Sequence, residues 1–126
     1  MRCLRALGVC ATAVLLTACS DQGPESAPGT LTAALVSPNG AEGAAVVTLR
    51  GQGLGATTGL GDVVLFRLDD ADVTTMVLVS PSGGSLSFRA EVADTTRPPT
   101  TAVLQIAGPD DELRATLSGY RLEWVR

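Results

Sequence analysis

Ser85-Leu86-Ser87-Phe88-Arg89-Ala90-Glu91-Val92 is the most regular stretch of this chain. Leu86, Phe88, Ala90 and Val92 occupy every second position, with Ser87, Arg89 and Glu91 between them. A period of two is that of a β-strand, whose successive side chains point to opposite faces. The apolar set is expected inward and the polar set outward. The same pattern extends in both directions. Before it, Pro81-Ser82-Gly83-Gly84 reads as a turn, and residues 73–80 and 62–68 read as strands. Residues 51–61 hold five glycines and read as a long loop. Residues 44–50, with Val46, Val47 and Leu49, form another strand candidate. Residues 30–36 form the first, with Leu31, Ala33 and Leu35 on one face, and Ser37-Pro38-Asn39-Gly40 turns the chain between the two.

On the C-terminal side, residues 95–99 read as a loop, and Pro98-Pro99 bars a central strand there because proline cannot donate to the ladder. Residues 101–107 and 120–125 are the last two strand candidates, separated by a stretch that contains Pro109-Asp110-Asp111-Glu112. In the final run Tyr120, Leu122 and Trp124 share a face opposite Arg121 and Glu123. Only residues 112–117 offer a helical turn. Short strands at this spacing argue for two packed antiparallel sheets, with a small barrel as the alternative closure.

The size and strand count of residues 30–126 resemble an immunoglobulin-like module. The opening pattern is similar to cohesin-like and carbohydrate-binding sandwiches: an alternating strand, a Pro-Asn-Gly turn, a small-residue strand, then a Gly-rich loop. The resemblance implies an all-β, Ig-like antiparallel β-sandwich of about seven strands. The Cys-Trp-Cys signature of antibody domains is absent.

The 126 residues carry nine Lys+Arg, all of them Arg, against 13 Asp+Glu and no His, for a formal charge of −4. Without His there is no Ser-His-Asp machinery and no His-ligated metal. Without Lys there is no Schiff base and no P-loop. An acidic chain neutralises phosphates poorly, so a nucleic-acid partner is not expected. Hydrophobic residues make up 45% of the chain, enough for a core, yet only Phe66, Phe88, Tyr120 and Trp124 are aromatic.

The N-terminus reads as an address rather than as fold. Arg2 and Arg5 precede an uncharged, mostly apolar segment, residues 6–16, which is too short to span a membrane. It ends in Leu16-Thr17-Ala18-Cys19, which resembles the bacterial lipobox. That resemblance implies cleavage before Cys19 and a diacylglycerol on its thiol. Residues 1–18 are then a lipoprotein signal peptide, and 19–29 are the lipidated Cys19 and a flexible tether, Pro- and Gly-bearing from Ser20 to Gly29 and about 35 Å long when extended. Residues 30–126 form the domain. Cys3 and Cys10 leave with the signal, so acylation of Cys19 would remove the last free thiol from an oxidising compartment. The signal takes two Arg and no acid with it, leaving the mature chain more negative still. Ser20 after the acylated Cys looks like outer-membrane sorting, periplasmic or surface-exposed.

Several constellations invite chemistry. Gly51-Gln52-Gly53-Leu54-Gly55-Ala56 matches G-x-G-x-x-A, but a strand follows instead of the helix whose N-terminus would hold a pyrophosphate. Asp69-Asp70-Ala71-Asp72 gathers hard oxygens that suit Ca²⁺, as does Asp110-Asp111-Glu112, yet neither has EF-hand spacing nor six ligands. No acid pair is marked for glycosidase work. Tyr120 and Trp124 offer flat faces for sugar but fall on the side expected inward. The runs Val63-Val64-Leu65-Phe66 and Met76-Val77-Leu78-Val79 are apolar on both faces. One face must fill the core; the other is either covered or exposed as a partner surface. The expectation is a lipid-anchored, non-catalytic envelope module without cofactor, contacting the membrane through Cys19 and an envelope protein or glycan through the domain. The alternatives are an accessory or inhibitor domain for a soluble partner, and a carbohydrate-binding module.

Overall fold

A computed structural model describes residues 26–51 and 53–126. Cys19, the signal segment and most of the tether lie outside the described residues. Eight strands follow one another: β1 (Gly29–Val36), β2 (Glu42–Arg50), β3 (Leu54–Gly59), β4 (Val64–Asp70), β5 (Val73–Gly84), β6 (Ser87–Val92), β7 (Thr100–Ala107) and β8 (Arg121–Val125). They build two antiparallel four-stranded sheets, ordered β3-β6-β1-β8 and β4-β5-β2-β7. The protein is an all-β sandwich, and the described residues contain no helix.

The alternation that organises the sequence also organises the core. Leu86, Phe88, Ala90 and Val92 are all buried on the inner face they share with Leu31 and Ala33 of β1 and Leu122 of β8, against Ala45, Val47 and Leu49 of β2, Met76 and Leu78 of β5 and Ile106 of β7 in the other sheet. Both sheets bury one face, so every one-residue slip in register would expose a whole apolar set, and the pairing is tightly specified.

The pairings β1–β8, β2–β7, β3–β6 and β4–β5 trace one long hairpin whose tip is the β4–β5 turn. The hairpin is folded back and forth between the sheets and joined to itself through β1–β6 and β2–β5. Counting strands by letter, β2–β5, β4–β5 and β3–β6 are the B–E, D–E and C–F pairings of an immunoglobulin-type sandwich. The places outside them are filled differently, with β1 beside β6 and β7 beside β2.

Three local expectations change. The segment 51–61 is not one loop: Leu54–Gly59 is edge strand β3, paired to β6 from Leu54↔Val92 to Gly59↔Phe88. Its glycines serve a close approach, since a Cβ on Gly59 would stand 2.1 Å from the Val63 carbonyl oxygen. Pro81-Ser82-Gly83-Gly84 is not a hairpin turn either. β5 runs through it to Gly84, which pairs with Glu42, before the chain crosses to the other sheet. Residues 112–117 form no helical turn. Leu113 instead bridges to Ala107, and the Arg114 N–H donates to the Ile106 carbonyl at 2.8 Å.

Candidate interaction surface

The two sheets differ on their solvent sides. On β3-β6-β1-β8 the outward positions include Ser87, Arg89 and Glu91 of β6, Thr30 and Thr32 of β1, and Arg121 and Glu123 of β8. Arg121 and Glu123 pair at 2.5 Å. This is an ordinary solvated face. On β4-β5-β2-β7 the register aligns three outward rows. The first is Val64, Val79, Ala44, Ala107 and the bridged Leu113; the second is Phe66, Val77, Val46 and Gln105; the third is Leu68, Thr75, Thr48 and Ala102. No residue in these rows carries a charge. Charges return in the row beyond, with Asp70 and Arg50 flanking Val73, and at the opposite end in the Asp110-Asp111-Glu112 turn between Ala107 and Leu113.

Burial follows this register. Val64, Phe66 and Leu68 are 46, 61 and 69% exposed, whereas Val63, just before β4, is buried and Leu65 packs on the core. On β7 the pairing with β2 shifts between Val46 and Val47. That irregularity leaves Leu104 and Gln105 both exposed while Val103 and Ile106 turn inward. Leu104 and Leu113 are 49 and 67% exposed, and a shallow pocket of about 160 Å³ opens between Ala44, Val46, Gln105, Ala107 and Leu113. The five large side chains together present roughly 500 Å² of apolar surface, which is at the scale of the largest patch on a typical monomer, about 300–600 Å² and often functional. The apolar runs in β4 and β5 had allowed for either covering or exposure of this face; within the domain it is exposed.

The other residues singled out by sequence are placed differently. Trp124 turns toward the core: its ring meets Phe88 edge-on at 6.1 Å between centroids, and its Nε1 donates to the Pro99 carbonyl at 2.9 Å. Tyr120 is buried. Neither forms a platform for a sugar. Asp69, Asp70 and Asp72 do not converge. Asp69 Oδ1 accepts from Arg67 Nε at 2.9 Å and from Thr74 Oγ1 at 2.7 Å, and the Arg67 bond foremost, then Thr74, holds its carboxyl below the usual aspartate value. Arg67 also donates from Nη1 and Nη2 to the Gly55 and Leu54 carbonyls of β3, closing the side of the sandwich where edges β3 and β4 meet. An inward-reaching charge of this kind blunts two edges at once. The cleft beside it, about 650 Å³, is lined by Gly51, Gly53, Leu54, Arg67, Asp69 and Asp72. At Asp110-Asp111-Glu112 the acids lie in an exposed turn, with Asp111 at φ 64°.

One buried polar group carried no distinctive sequence signal. Glu42 opens β2 and is 1% exposed. Its Oε1 accepts from Tyr120 OH at 2.6 Å and from Ser37 Oγ at 2.8 Å, and its Oε2 accepts from Arg114 Nε at 3.1 Å. Asn39 Nδ2 in turn donates to Tyr120 OH at 2.7 Å. Burial alone would push this carboxyl up, but the three donors outweigh it and hold its pKa below the ordinary glutamate value. Both of its oxygens accept from this chain's own donors, so the group ties the β1–β2 link to the segment leading into β8.

No protein-family model, no curated protein and no solved structure matches the chain.

Proposed function

We propose that this protein is a bacterial lipoprotein, anchored through Cys19 and carrying a non-catalytic β-sandwich that binds through the outer face of β4-β5-β2-β7. The observation that carries the binding reading is the charge-free apolar face itself, set against the charged face of the opposite sheet. A solvated sheet alternates apolar-in with polar-out. Three uncharged rows, mostly Val, Phe, Leu and Ala with Gln105, Thr48 and Thr75 among them, lower solubility where Val64, Phe66 and Leu68 face water, and an exposed patch of this kind marks a contact surface. The anchor reading is supported by Leu16-Thr17-Ala18-Cys19 after a short apolar segment. Two or three acyl chains, at about 0.8 kcal/mol per buried CH₂, hold a protein durably at a membrane. Outer-membrane placement follows from Ser20 at the position after the acylated Cys.

Labelling cells with a palmitate analogue tests the anchor: the wild type takes the label, and Cys19→Ala takes none and accumulates uncleaved. Equal labelling of both would end the lipoprotein reading. An accessory or inhibitor role toward a soluble partner would use the same face and would leave the protein functional when released from the membrane.

A further inference from the structure

The occupant of the apolar face is open to argument from charge, area and the position of the tether. We infer that it is the same face of a second copy, the two sandwiches stacking β4-β5-β2-β7 against β4-β5-β2-β7. This rests on the reading that the face is the protein's binding surface and names what binds there.

Charge comes first. The chain carries 13 acidic residues against nine basic ones, so two copies repel unless they meet where neither is charged. A two-fold contact sets each residue near the axis against its own counterpart, so any charge there would meet its like. The outer rows of β4-β5-β2-β7 meet that condition, and the outer face of the other sheet, with Arg89, Glu91, Arg121 and Glu123, does not. A lipid surface fits less well. The face is bordered by Asp70 and Arg50 at one end and by the Asp110-Asp111-Glu112 turn at the other, so acids outnumber bases around it and anionic headgroups would be repelled.

Area is sufficient. Two copies of the five large exposed side chains remove roughly 1,000 Å² from water, near the lower bound for a specific interface, before Val46, Val77, Val79, Ala44 and Ala107 are counted. Tethering both copies to one membrane raises their effective concentration toward about the millimolar range, so a modest interface is enough.

The tether then selects the orientation. The described chain enters β1 at Gly29, opposite Val92, at the end of the sandwich where Arg50 pairs with Val73 and Arg126 reaches the Thr95 carbonyl. β1 lies in the far sheet, so residues 26–29 enter it away from the apolar face. A two-fold axis running along the strands keeps both tethers at the same end, toward one membrane. It sets β5 of each copy over β2 of the other, with Val77 against Val46, and β4 over β7, with Phe66 against Gln105 and the adjacent Leu104. Sheets packed this way lie about 10 Å apart.

The test uses the full chain in cells. Val77→Cys places the mature protein's one unacylated thiol beside the axis, and a short bis-maleimide is applied; Ser87→Cys on the opposite sheet is the control. The expected result is a crosslinked product at twice the monomer mass for Val77→Cys alone, reduced at least tenfold when Phe66→Glu is added. Phe66 is exposed, and an unchanged melting curve for Phe66→Glu verifies that it folds. A doubled-mass product that Phe66→Glu leaves undiminished overturns the stacking. Crosslinking to a product of any other mass overturns the second copy and keeps the face as a binding surface. Absence of crosslinking with Val77→Cys shielded from a mono-maleimide does the same when mild-detergent extraction yields no particle of twice the monomer mass, whereas a particle of that mass supports the second copy. Absence of crosslinking with Val77→Cys freely labelled shows a bare face and overturns both readings.

Discussion

Tyr120 donates its hydroxyl proton to Glu42 at 2.6 Å across 78 positions of sequence, and both side chains are buried. The bond joins the start of β2 to the residue before β8, and Ser37, Asn39 and Arg114 complete it from three other loop positions. At the far end of the sandwich, away from the tether, this cluster adds to the apolar packing of Leu86, Ile106 and Leu122.

Glu42 therefore makes stability pH-dependent, and the sign follows from its depressed pKa. Its contribution is fully present above the ordinary glutamate value and is lost as pH falls through the lower, folded-state value. Acid denaturation followed by circular dichroism should show a weaker pH dependence in Glu42→Gln than in the wild type across that window. At neutral pH, Tyr120→Phe should cost about 1.5–3 kcal/mol, the range for a hydrogen bond to a charged group. A Tyr120→Phe denaturant midpoint equal to wild type would show that the carboxylate does not depend on this donor.

Phe88 lies at the centre of the core, fully buried, with Trp124 edge-on against it. Phe88→Ala should cost about 3–5 kcal/mol from lost burial and the cavity left behind, a large share of the roughly 5–15 kcal/mol that a domain has. Trp124→Phe keeps most of the packing and loses the bond to Pro99, about 0.5–1.5 kcal/mol. Urea melts rank the two; a Trp124 variant as damaging as Phe88→Ala would mean the indole bond is worth far more than its geometry implies.

Gly59 and Gly40 are required for different reasons, and substitution separates them. A Cβ at Gly59 would strike the Val63 carbonyl, whereas Gly40 has open space but a φ of 79°. Gly40→Ala should cost about 1–2 kcal/mol for the left-handed backbone, and Gly40→Asn should recover part of that because Asn tolerates the conformation. At Gly59, Ala and Asn should both cost about 1–3 kcal/mol through overpacking. Recovery by Asn at Gly59 in thermal melts would contradict the steric account.

Arg67 holds β3 to β4 through two carbonyls and Asp69 at once. A lysine supplies charge without the planar fork, so Arg67→Lys should raise amide hydrogen exchange in β3 while β2 exchange is unchanged. The same ion pair occupies Asp69, and so calcium or a chelator should leave the melting temperature where it is. A rise of several degrees with calcium would show that the Asp69-Asp70-Asp72 turn rearranges to bind it.

Reading the chain alone determines a good deal here. The alternation in Leu86, Phe88, Ala90 and Val92, and in Leu31 and Ala33, names strands and their buried faces, because a period of two is a local property that survives in any sandwich. It does not reveal β3, where Gly55 and Gly59 read as loop; an edge strand takes its stability from one neighbour, and its glycines answer to Glu91 at Gly55 and to the Val63 backbone at Gly59, none of it visible locally. It does not reveal the Glu42 cluster, whose donors come from residues 37, 114 and 120 and meet only when β1, β2 and β8 are in place. In Val63-Val64-Leu65-Phe66 the sequence shows an apolar residue at every position and leaves open which face is inward. Strand pairing settles that. Once Phe66 stands beside Val77 and Val77 beside Val46, the register commits Leu65, Leu78 and Ala45 to the core and turns the other set to the outside. Burial is a relation between segments far apart in the chain, and a run that is apolar on both sides acquires an exterior only when its neighbours choose one.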